Sequence, residues 1–218
     1  MLYIVATPIG NLKDITFRAI EVFKSVDIVL CEDTRRTSKL FSHYDVKTPL
    51  LSYHSHSSDN KINKIIDLIK DGKDLALVTD AGTPGISDPG TFLIKKIIEE
   101  CSDSISIVPI PGCCALAAAA SVVDFSMDKF VFLGFPPALK KRNKFFEELK
   151  SFEHPIILYE SPYRIIKTLK DIAKVDPSFY VVICRELTKQ FETIYRGNVL
   201  EVIPKIEEKG EFIIIIKK

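Results

Sequence analysis

Short apolar runs alternate with amphipathic stretches along the first half of the chain. In stretches such as 15–23 and 62–69, apolar residues recur at spacings of three and four, which is typical of helices that bury one face. The apolar runs between them predict five strands, at 2–6, 27–31, 50–53, 75–78 and 104–110. Strands that alternate with helices predict a mainly parallel sheet with helices on both faces.

The second half begins after a break at Pro109, Pro111 and Gly112, and opens with an alanine-rich stretch, 114–123, that predicts a helix. Further strands are predicted at 130–133, 155–159, 179–184, 192–195 and 212–216, with helices at 138–151 and 161–174. The last strands lie close together in sequence, so we expect antiparallel pairing among them. The fold class is therefore α/β, with two α/β lobes. The N-terminal lobe (1–112) has a mostly parallel sheet and the C-terminal lobe (113–218) a mixed one.

Composition narrows the class of protein. The 218 residues are 46% hydrophobic and 27% charged, as in ordinary globular domains. No apolar run approaches the roughly 20 residues of a membrane span, and the first residues enter a strand directly, so we expect no membrane partner and a cytoplasmic location. A net charge of +1 argues against a protein whose whole surface binds nucleic acid. Five cysteines without zinc-ligand spacing predict reduced thiols and no metal site.

The segment 78–90 is the strongest candidate for a binding loop. It follows a predicted strand, precedes a helical pattern, and holds three of the nine glycines, Gly82, Gly85 and Gly90, together with Asp80 and Asp88. Glycine lets backbone approach a ligand closely, and ligands bind at the carboxyl ends of strands in α/β sheets. The alternative is a tight turn that needs glycine for its geometry alone. Neither a Gly-x-Gly-x-x-Gly motif nor a Walker loop is present, which disfavours ordinary dinucleotide and nucleoside-triphosphate sites.

Four other segments carry more polar and small residues than a connection needs: 7–12, 31–36, 111–115 and 185–193. The first feeds a helix whose cap we expect near Asp14 or Thr16. Each segment follows a predicted strand, so together they predict a cleft at the carboxyl ends of the strands. Read singly, each could be a turn or a solvated cluster of ion pairs.

These motifs recur in the same order in one family, and with them the chain resembles the ribosomal RNA small-subunit methyltransferase I family of the tetrapyrrole-methylase (class III) superfamily. The motifs that carry the resemblance are Thr-Pro-Ile-Gly-Asn-Leu-Lys-Asp-Ile-Thr at 7–16, Glu-Asp-Thr-Arg at 32–35, Ser-Tyr-His at 52–54, the loop at 80–90, the turn at 111–115, Glu-Ser-Pro at 160–162 and the segment 185–193. The resemblance covers essentially the whole chain.

The resemblance implies an enzyme that uses S-adenosylmethionine to 2′-O-methylate a decoding-centre cytidine of 16S rRNA, with the 30S subunit as partner. It also implies a homodimer and a cofactor folded into the cleft between the lobes. The cofactor-binding positions that it implies are Pro8, Gly10, Asp80, Gly82, Thr83, Pro84, Ile86, Cys114, Ala115, Tyr159 and Leu187. Many family members continue for several dozen residues beyond the final strand, whereas this chain has only two lysines after Ile216. If that extension helps to seat the RNA, we expect this chain to dock the RNA through its remaining surface or with lower affinity.

Methyl transfer from a sulfonium to a ribose hydroxyl needs alignment of the two reactants and an acceptor for the hydroxyl proton. Our hypothesis places Lys189 or Glu186 as the group that assists deprotonation, with Arg185 orienting the ribose or phosphate. A lysine serves as a base only if its pKa is lowered. The alternative is that these three charged residues simply pair with one another.

Arg35, Arg36, Arg142 and Lys144 are candidates for RNA phosphates, because arginine binds phosphate bidentately. The alternative for 140–144, the densest basic patch, is an exposed helix face without a partner. We expect His54 to lie in a polar loop near the RNA and not to bind a metal, since only one other histidine, His56, lies near it in sequence.

Two other functions compete with the rRNA methyltransferase. One is a methyltransferase that acts on a tetrapyrrole such as a corrin precursor, which the motifs at 32–35 and 185–193 disfavour. The other is a non-catalytic, ribosome-associated module that binds S-adenosylmethionine, which the intact loop glycines disfavour.

Overall fold

A computed structural model describes residues 1–101 and 105–218, and divides the chain into two compact units, Met1–Cys114 and Ala115–Lys218. Unit 1 contains a five-stranded sheet in the order β3-β2-β4-β1-β5, in which every pair is parallel. Its strands are β1 Leu2–Val5, β2 Ile28–Cys31, β3 Leu50–Ser52, β4 Leu75–Leu77 and β5 Ile107–Ile110. The predicted parallel sheet is confirmed, and all five strands end at one edge, which places the loops that follow them side by side.

Helices cover both faces of this sheet. The helices of unit 1 are α1 Phe17–Ser25, α2 Thr34–His43, α3 Asp59–Lys70 and α4 Thr91–Cys101, and a 3-10 turn at Leu12–Asp14 precedes α1. Alternate strand residues point to opposite faces. Val5 therefore packs with α1 and α2 in one apolar cluster, and Leu2 packs with α3 and α4 in another.

Unit 2 contains a mixed five-stranded sheet in the order β6-β7-β10-β8-β9. Its strands are β6 Val131–Gly134, β7 Ile156–Glu160, β8 Tyr180–Arg185, β9 Thr193–Asn198 and β10 Phe212–Lys217. β6 runs parallel to β7, and the other pairs are antiparallel, as the short connections of the last strands predicted. β10 lies at the centre and is almost entirely buried.

The two faces of the second sheet are covered unequally. Three helices, α6 Arg142–Glu148, α7 Ile165–Val175 and α8 Val199–Val202, pack on the larger apolar cluster. The short helix α5 Ala115–Ala120 packs on the other face with the apolar residues that follow it. The two α/β units, one parallel and one mixed, are the predicted fold class.

Several boundaries differ from the predictions. The division falls two residues beyond the predicted one at 112/113. The helix predicted at 138–151 begins only at Arg142, because Lys141 has a left-handed backbone conformation. The helix predicted at 161–174 begins at Ile165, and the one predicted at 114–123 is shorter. Position 104 of the predicted fifth strand lies outside the described residues. Among the described residues, no helix has the length and apolar content needed to cross a membrane.

Candidate functional site

The loops that follow β1 and β4 are joined by their backbones. The amide of Thr7 donates to the carbonyl of Gly82 at 2.9 Å, and the amide of Gly82 donates back at 3.0 Å. Gly82 has φ +82°, a conformation that favours glycine, and a Cβ there would lie 3.4 Å from Cγ2 of Ile9. The segments that carry Pro8, Gly10 and Gly82 are therefore held together, as the prediction of a shared site requires.

The loop after β5 is bonded to the same assembly. The hydroxyl of Thr83 donates to the carbonyl of Cys113 at 3.0 Å, and the thiol of Cys113 donates to the carbonyl of Asp14 at 3.2 Å. Burial raises the pKa of the Cys113 thiol, so the thiol stays protonated. Cys114, next in sequence, is half-buried. Three strand-end loops thus form one connected rim, in which Pro8, Gly82 and Pro84 are buried and shape the backbone, while Gly10, Thr83 and Ile86 remain accessible.

Asp80 joins the loop after β2 to this rim. One of its oxygens accepts from the amide of Asp33 at 3.2 Å, and the other lies 3.1 Å from Arg36. Burial, together with the charge of Asp80, raises the pKa of Glu32 above its ordinary range. Asp80 therefore acts as a link between loops, whatever ligand the rim binds.

Asp33 caps helix α2 and holds Arg35. Its carboxylate accepts from the amide of Arg35 at 2.9 Å and from the guanidinium at 2.8 and 3.1 Å. Hydrogen bonds from the Arg35 side chain are the main reason that the pKa of Asp33 is lowered to about 2. The side chains of Arg35 and Arg36 are 87% and 66% exposed. Arg35 and Arg36, two of the three arginines predicted to contact RNA, are therefore exposed to solvent beside the rim.

His54 lies in a turn that follows β3. Its amide donates to the hydroxyl of Ser57 at 3.0 Å, and its Nδ1 accepts from the amide of His56 at 3.2 Å. Within residues 1–101 and 105–218, no group of three or more His, Cys, Asp and Glu side chains could hold a metal ion. The turn is polar, and its role toward RNA stays a prediction.

In unit 2, Tyr159 lies against the start of α5. Its hydroxyl accepts from the amide of Leu116 at 3.1 Å, one of the donors that a helix start leaves without an intrahelical partner. Its ring makes edge contacts with Phe132 and Phe135, at centroid distances of 4.8 and 5.6 Å. Ala115 and Leu187 pack against the same apolar cluster. The structure therefore brings together the three positions of this unit that were predicted to line the cofactor.

Arg185 is buried, and its guanidinium is occupied by the chain itself. It donates to the carbonyls of Lys209 at 2.7 Å and Phe191 at 3.3 Å, and it lies 3.1 Å from the carboxylate of Glu207. These contacts tie the loop after β8 to the turn before β10. A buried guanidinium with these partners is not placed to orient a ribose or phosphate. This part of the hypothesis is corrected: Arg185 supports the loop after β8.

Lys189 and Glu186 form an ion pair that includes Glu211. The ammonium lies 2.9 Å from Glu186 and 2.8 Å from Glu211. Burial opposes the charged form, but hydrogen bonds and charges from Glu211 and Glu186 outweigh it and raise the pKa of Lys189. Burial also opposes ionisation of Glu186, yet the bonds from Lys189 and the Glu211 amide lower its pKa. The pKa of Lys189 is thus not lowered, as it would have to be for this lysine to act as a base. The arrangement fits the alternative that Lys189 and Glu186 pair with each other.

Sequence reasoning missed Gly210. Its φ is +86°, and a Cβ there would overlap Cγ, Cδ and Oε1 of Glu186. Glu186 itself has φ +51° and Thr188 φ +66°, so the loop after β8 holds two non-glycine residues in a left-handed conformation. The Lys-Gly-Glu sequence at 209–211 predicts only a turn. The contact between Gly210 and Glu186, 24 positions earlier, cannot be predicted from the sequence around either residue.

The prediction that Arg142 contacts RNA is corrected by its burial. Its side chain is 4% exposed and donates to Asp171 at 2.9 Å, Thr168 at 2.8 Å and the carbonyl of Pro137 at 2.9 Å. Lys144, two residues later, is exposed and lies 3.9 Å from Glu148. The alternative of an exposed basic face therefore suits Lys144, whereas Arg142 belongs to a buried network.

Comparison with known proteins bears on the whole chain. Residues 1–203 match the model of the Tetrapyrrole (Corrin/Porphyrin) Methylases family. The chain is 45% identical to the Ribosomal RNA small subunit methyltransferase I of Hydrogenobaculum sp., over 100% of this chain and 95% of that protein. It is 44% identical to the protein of the same name from Halalkalibacterium halodurans, over 99% of this chain and 75% of that protein.

Among solved structures, diphthine synthase has the same fold, with a TM-score of 0.74 at 12% identity, over 100% of this chain and 89% of that one. The relatives at 44–45% identity confirm the resemblance drawn from the motifs, and the bonded loops at 7–12, 80–90 and 111–115 are among the segments that carried it. The chain belongs to the tetrapyrrole (corrin/porphyrin) methylase family.

Proposed function

We propose that this protein transfers the methyl group of S-adenosylmethionine to the ribose 2′-hydroxyl of a cytidine in 16S rRNA, acting on the small ribosomal subunit as a homodimer. The observation that carries the proposal is the connected rim of unit 1, where the motif segments at 7–12, 80–90 and 111–115 are bonded to one another. The relatives at 44–45% identity are named for methylation of small-subunit rRNA.

The residues present fit such a cofactor. The rim is built from backbone turns at strand ends, where ligands bind in α/β sheets, and Gly10 within it is exposed. Ala115, Tyr159 and Leu187 supply a half-buried apolar surface of the kind that a nucleoside needs. When bound, the cofactor supplies an electrophilic methyl group on a positively charged sulfur.

The contribution of the chain is chiefly alignment. The bonded loops hold their backbone in one arrangement before the reactants arrive, so little ordering remains to be done on binding. Lys189, protonated between two carboxylates, suits a hydrogen-bond donor to an RNA oxygen better than a base. Glu186 remains the candidate acceptor for the hydroxyl proton, although it must first give up part of its bonding to Lys189 and the Glu211 amide.

The test compares two alanine variants with nearly the same backbone. Gly82 and Gly72 have φ of +82° and +81°, but a Cβ at Gly72 meets no atom within 4 Å, whereas one at Gly82 would lie inside the rim, in contact with Ile9 at 3.4 Å and the Cys113 carbonyl at 3.8 Å. Gly82→Ala should weaken binding of S-adenosylmethionine about tenfold, which corresponds to about 1.4 kcal/mol, while Gly72→Ala should not. Binding is measured by calorimetry and by thermal stabilisation.

Methyl incorporation into 30S subunits, free 16S rRNA and uroporphyrinogen then separates the competing functions, with the modified ribose mapped by its resistance to alkali. Transfer to uroporphyrinogen alone would favour the tetrapyrrole enzyme. Cofactor binding without transfer to any acceptor would favour the non-catalytic module. No association with the cofactor at all would overturn the proposal.

A further inference from the structure

The outer face of helix α2 carries Arg35, Arg36 and Lys39. The helix reads Thr-Arg-Arg-Thr-Ser-Lys-Leu-Phe-Ser-His and contains no carboxylate. Thr37, Leu40 and Phe41 face the core, so the cations lie on the opposite side, exposed. The face is about 15 Å long, from a rise of 1.5 Å per residue.

Two neighbouring elements extend this face. The ring of Phe23 in α1 packs 5.1 Å from that of Phe41 in α2, so the two helices lie side by side. The hydroxyl of Tyr44, at the end of α2, donates to the carbonyl of Leu12 at 2.5 Å. Exposed cations of the 3-10 turn and of the first turn of α1 thus adjoin the helix. We define the α2 basic face as Lys13, Arg18, Arg35, Arg36 and Lys39.

We propose that the α2 basic face docks the phosphodiester backbone of the rRNA substrate; this rests on the proposed function and names the surface on which its substrate lies. Lys13, Arg18 and Lys39 are exposed and have no carboxylate within 4.0 Å in the part of the chain that the structure describes. Some lysines on other helices are paired with carboxylates, as Lys95 is with Glu99 in α4. Exposed cations without a carboxylate partner attract phosphates most strongly, whereas Arg35 and Arg36 are already paired with Asp33 and Asp80.

The face is continuous with the candidate site. Helix α2 begins at the Asp33 cap, whose amide is bonded to Asp80 of the 80–90 loop. Arg36 lies 3.1 Å from the same carboxylate, and its side chain is still 66% exposed. An RNA strand that follows α2 toward its first residue therefore arrives at the rim where methyl transfer is proposed.

The test neutralises the three cations that have no carboxylate partner. The triple variant carries Lys13→Gln, Arg18→Gln and Lys39→Gln. The control carries Lys64→Gln, Lys167→Gln and Lys170→Gln. It removes the same charge from exposed lysines of α3 and α7 that also lack a salt bridge in the described segments. Binding to 30S subunits and to 16S rRNA is measured by filter retention at several salt concentrations, and cofactor binding by calorimetry.

We expect the triple variant to lower the slope of log affinity against log salt by about 2 to 3, since each phosphate contact contributes about 0.7–0.9. RNA affinity should fall at least about tenfold, with cofactor binding unchanged. Equal slopes and affinities for the triple variant and the control would overturn the inference while leaving the proposed function intact. If the wild-type protein retains neither 30S subunits nor 16S rRNA, the proposed function fails, and the inference with it.

Discussion

Gly210→Ala should destabilise the protein more than a substitution at a glycine of similar backbone conformation with no close neighbour, such as Gly72→Ala. The added methyl group would overlap three side-chain atoms of Glu186. To avoid it, Glu186 must release the amide of Glu211, which it binds at 2.9 Å, and the ammonium of Lys189, also at 2.9 Å. The substitution therefore acts on the ion pair through a steric contact and leaves all three charges in place.

The magnitude follows from two separable contributions. Alanine in a left-handed conformation costs about 1 kcal/mol, and that contribution is shared with Gly72→Ala, whose φ is +81°. Displacing Glu186 adds the loss of two hydrogen bonds to charged groups, about 1.5 kcal/mol or more each, part of which water restores at this half-exposed site. We expect Gly210→Ala to lower the free energy of unfolding by about 3 kcal/mol, against about 1 kcal/mol for Gly72→Ala.

A double-mutant cycle with Glu186→Ala isolates the contact between a methyl group at position 210 and the Glu186 side chain, which both lie in unit 2. Without the Glu186 side chain, the methyl group at 210 meets no carboxylate, so Gly210→Ala should then cost only the conformational contribution of about 1 kcal/mol. Urea denaturation of the four proteins gives the coupling, expected at about 2 kcal/mol. An equal cost of Gly210→Ala in both backgrounds would refute the reasoning, because the loop would then tolerate the methyl group by moving elsewhere.

Three further predictions concern caps, buried charge and pH. Thr16→Ala should lower the free energy of unfolding by about 1 kcal/mol, because its hydroxyl caps α1, whereas Ser58→Ala at the uncapped start of α3 should change it by less than about 0.5 kcal/mol in urea denaturation. Arg142→Ala should cost about 3–5 kcal/mol by leaving buried partners unpaired, and Lys144→Ala close to nothing in the same assay. The pKa of Asp33 falls from 3.8 to about 2 on folding, so its stabilising contribution is complete above pH 4 and is lost as pH falls through 2; Asp33→Asn should remove this part of the acid dependence.

The strands were predictable because each is a short apolar run bounded by polar or turn residues. All ten predicted strands have counterparts, with ends that agree or differ by at most three residues. The central strand β10 is the extreme case: Phe212 is followed by four isoleucines, which suits a strand buried on both faces. Helix α2 was not predicted, because only Thr37, Leu40 and Phe41 of its ten residues are buried and the rest read as a polar loop.

The candidate site was predictable as a set of segments and not as a set of contacts. Parallel strands bring their carboxyl ends to one edge, so the segments at 7–12, 31–36, 80–90 and 111–115 had to lie near one another once the strands were assigned. Which atoms bond, such as the Thr7 and Gly82 backbones, depends on strand order, and no local pattern encodes that order. The same limit hid the contacts of Arg142 and Gly210, whose partners are distant in sequence.

The loops of the two units are fixed by different kinds of interaction, and this has a consequence for function. The rim of unit 1 is joined mainly by neutral hydrogen bonds, such as the Thr7–Gly82 pair and the Thr83–Cys113 bond, which salt screens little. The loop after β8 depends on the charges of Lys189, Glu186 and Glu211, on a partly exposed surface where added salt weakens attraction. A cofactor held by the rim should therefore bind with little dependence on ionic strength. RNA binding through exposed cations should depend on it strongly, so the salt dependence of each binding step separates the donor site from the acceptor surface.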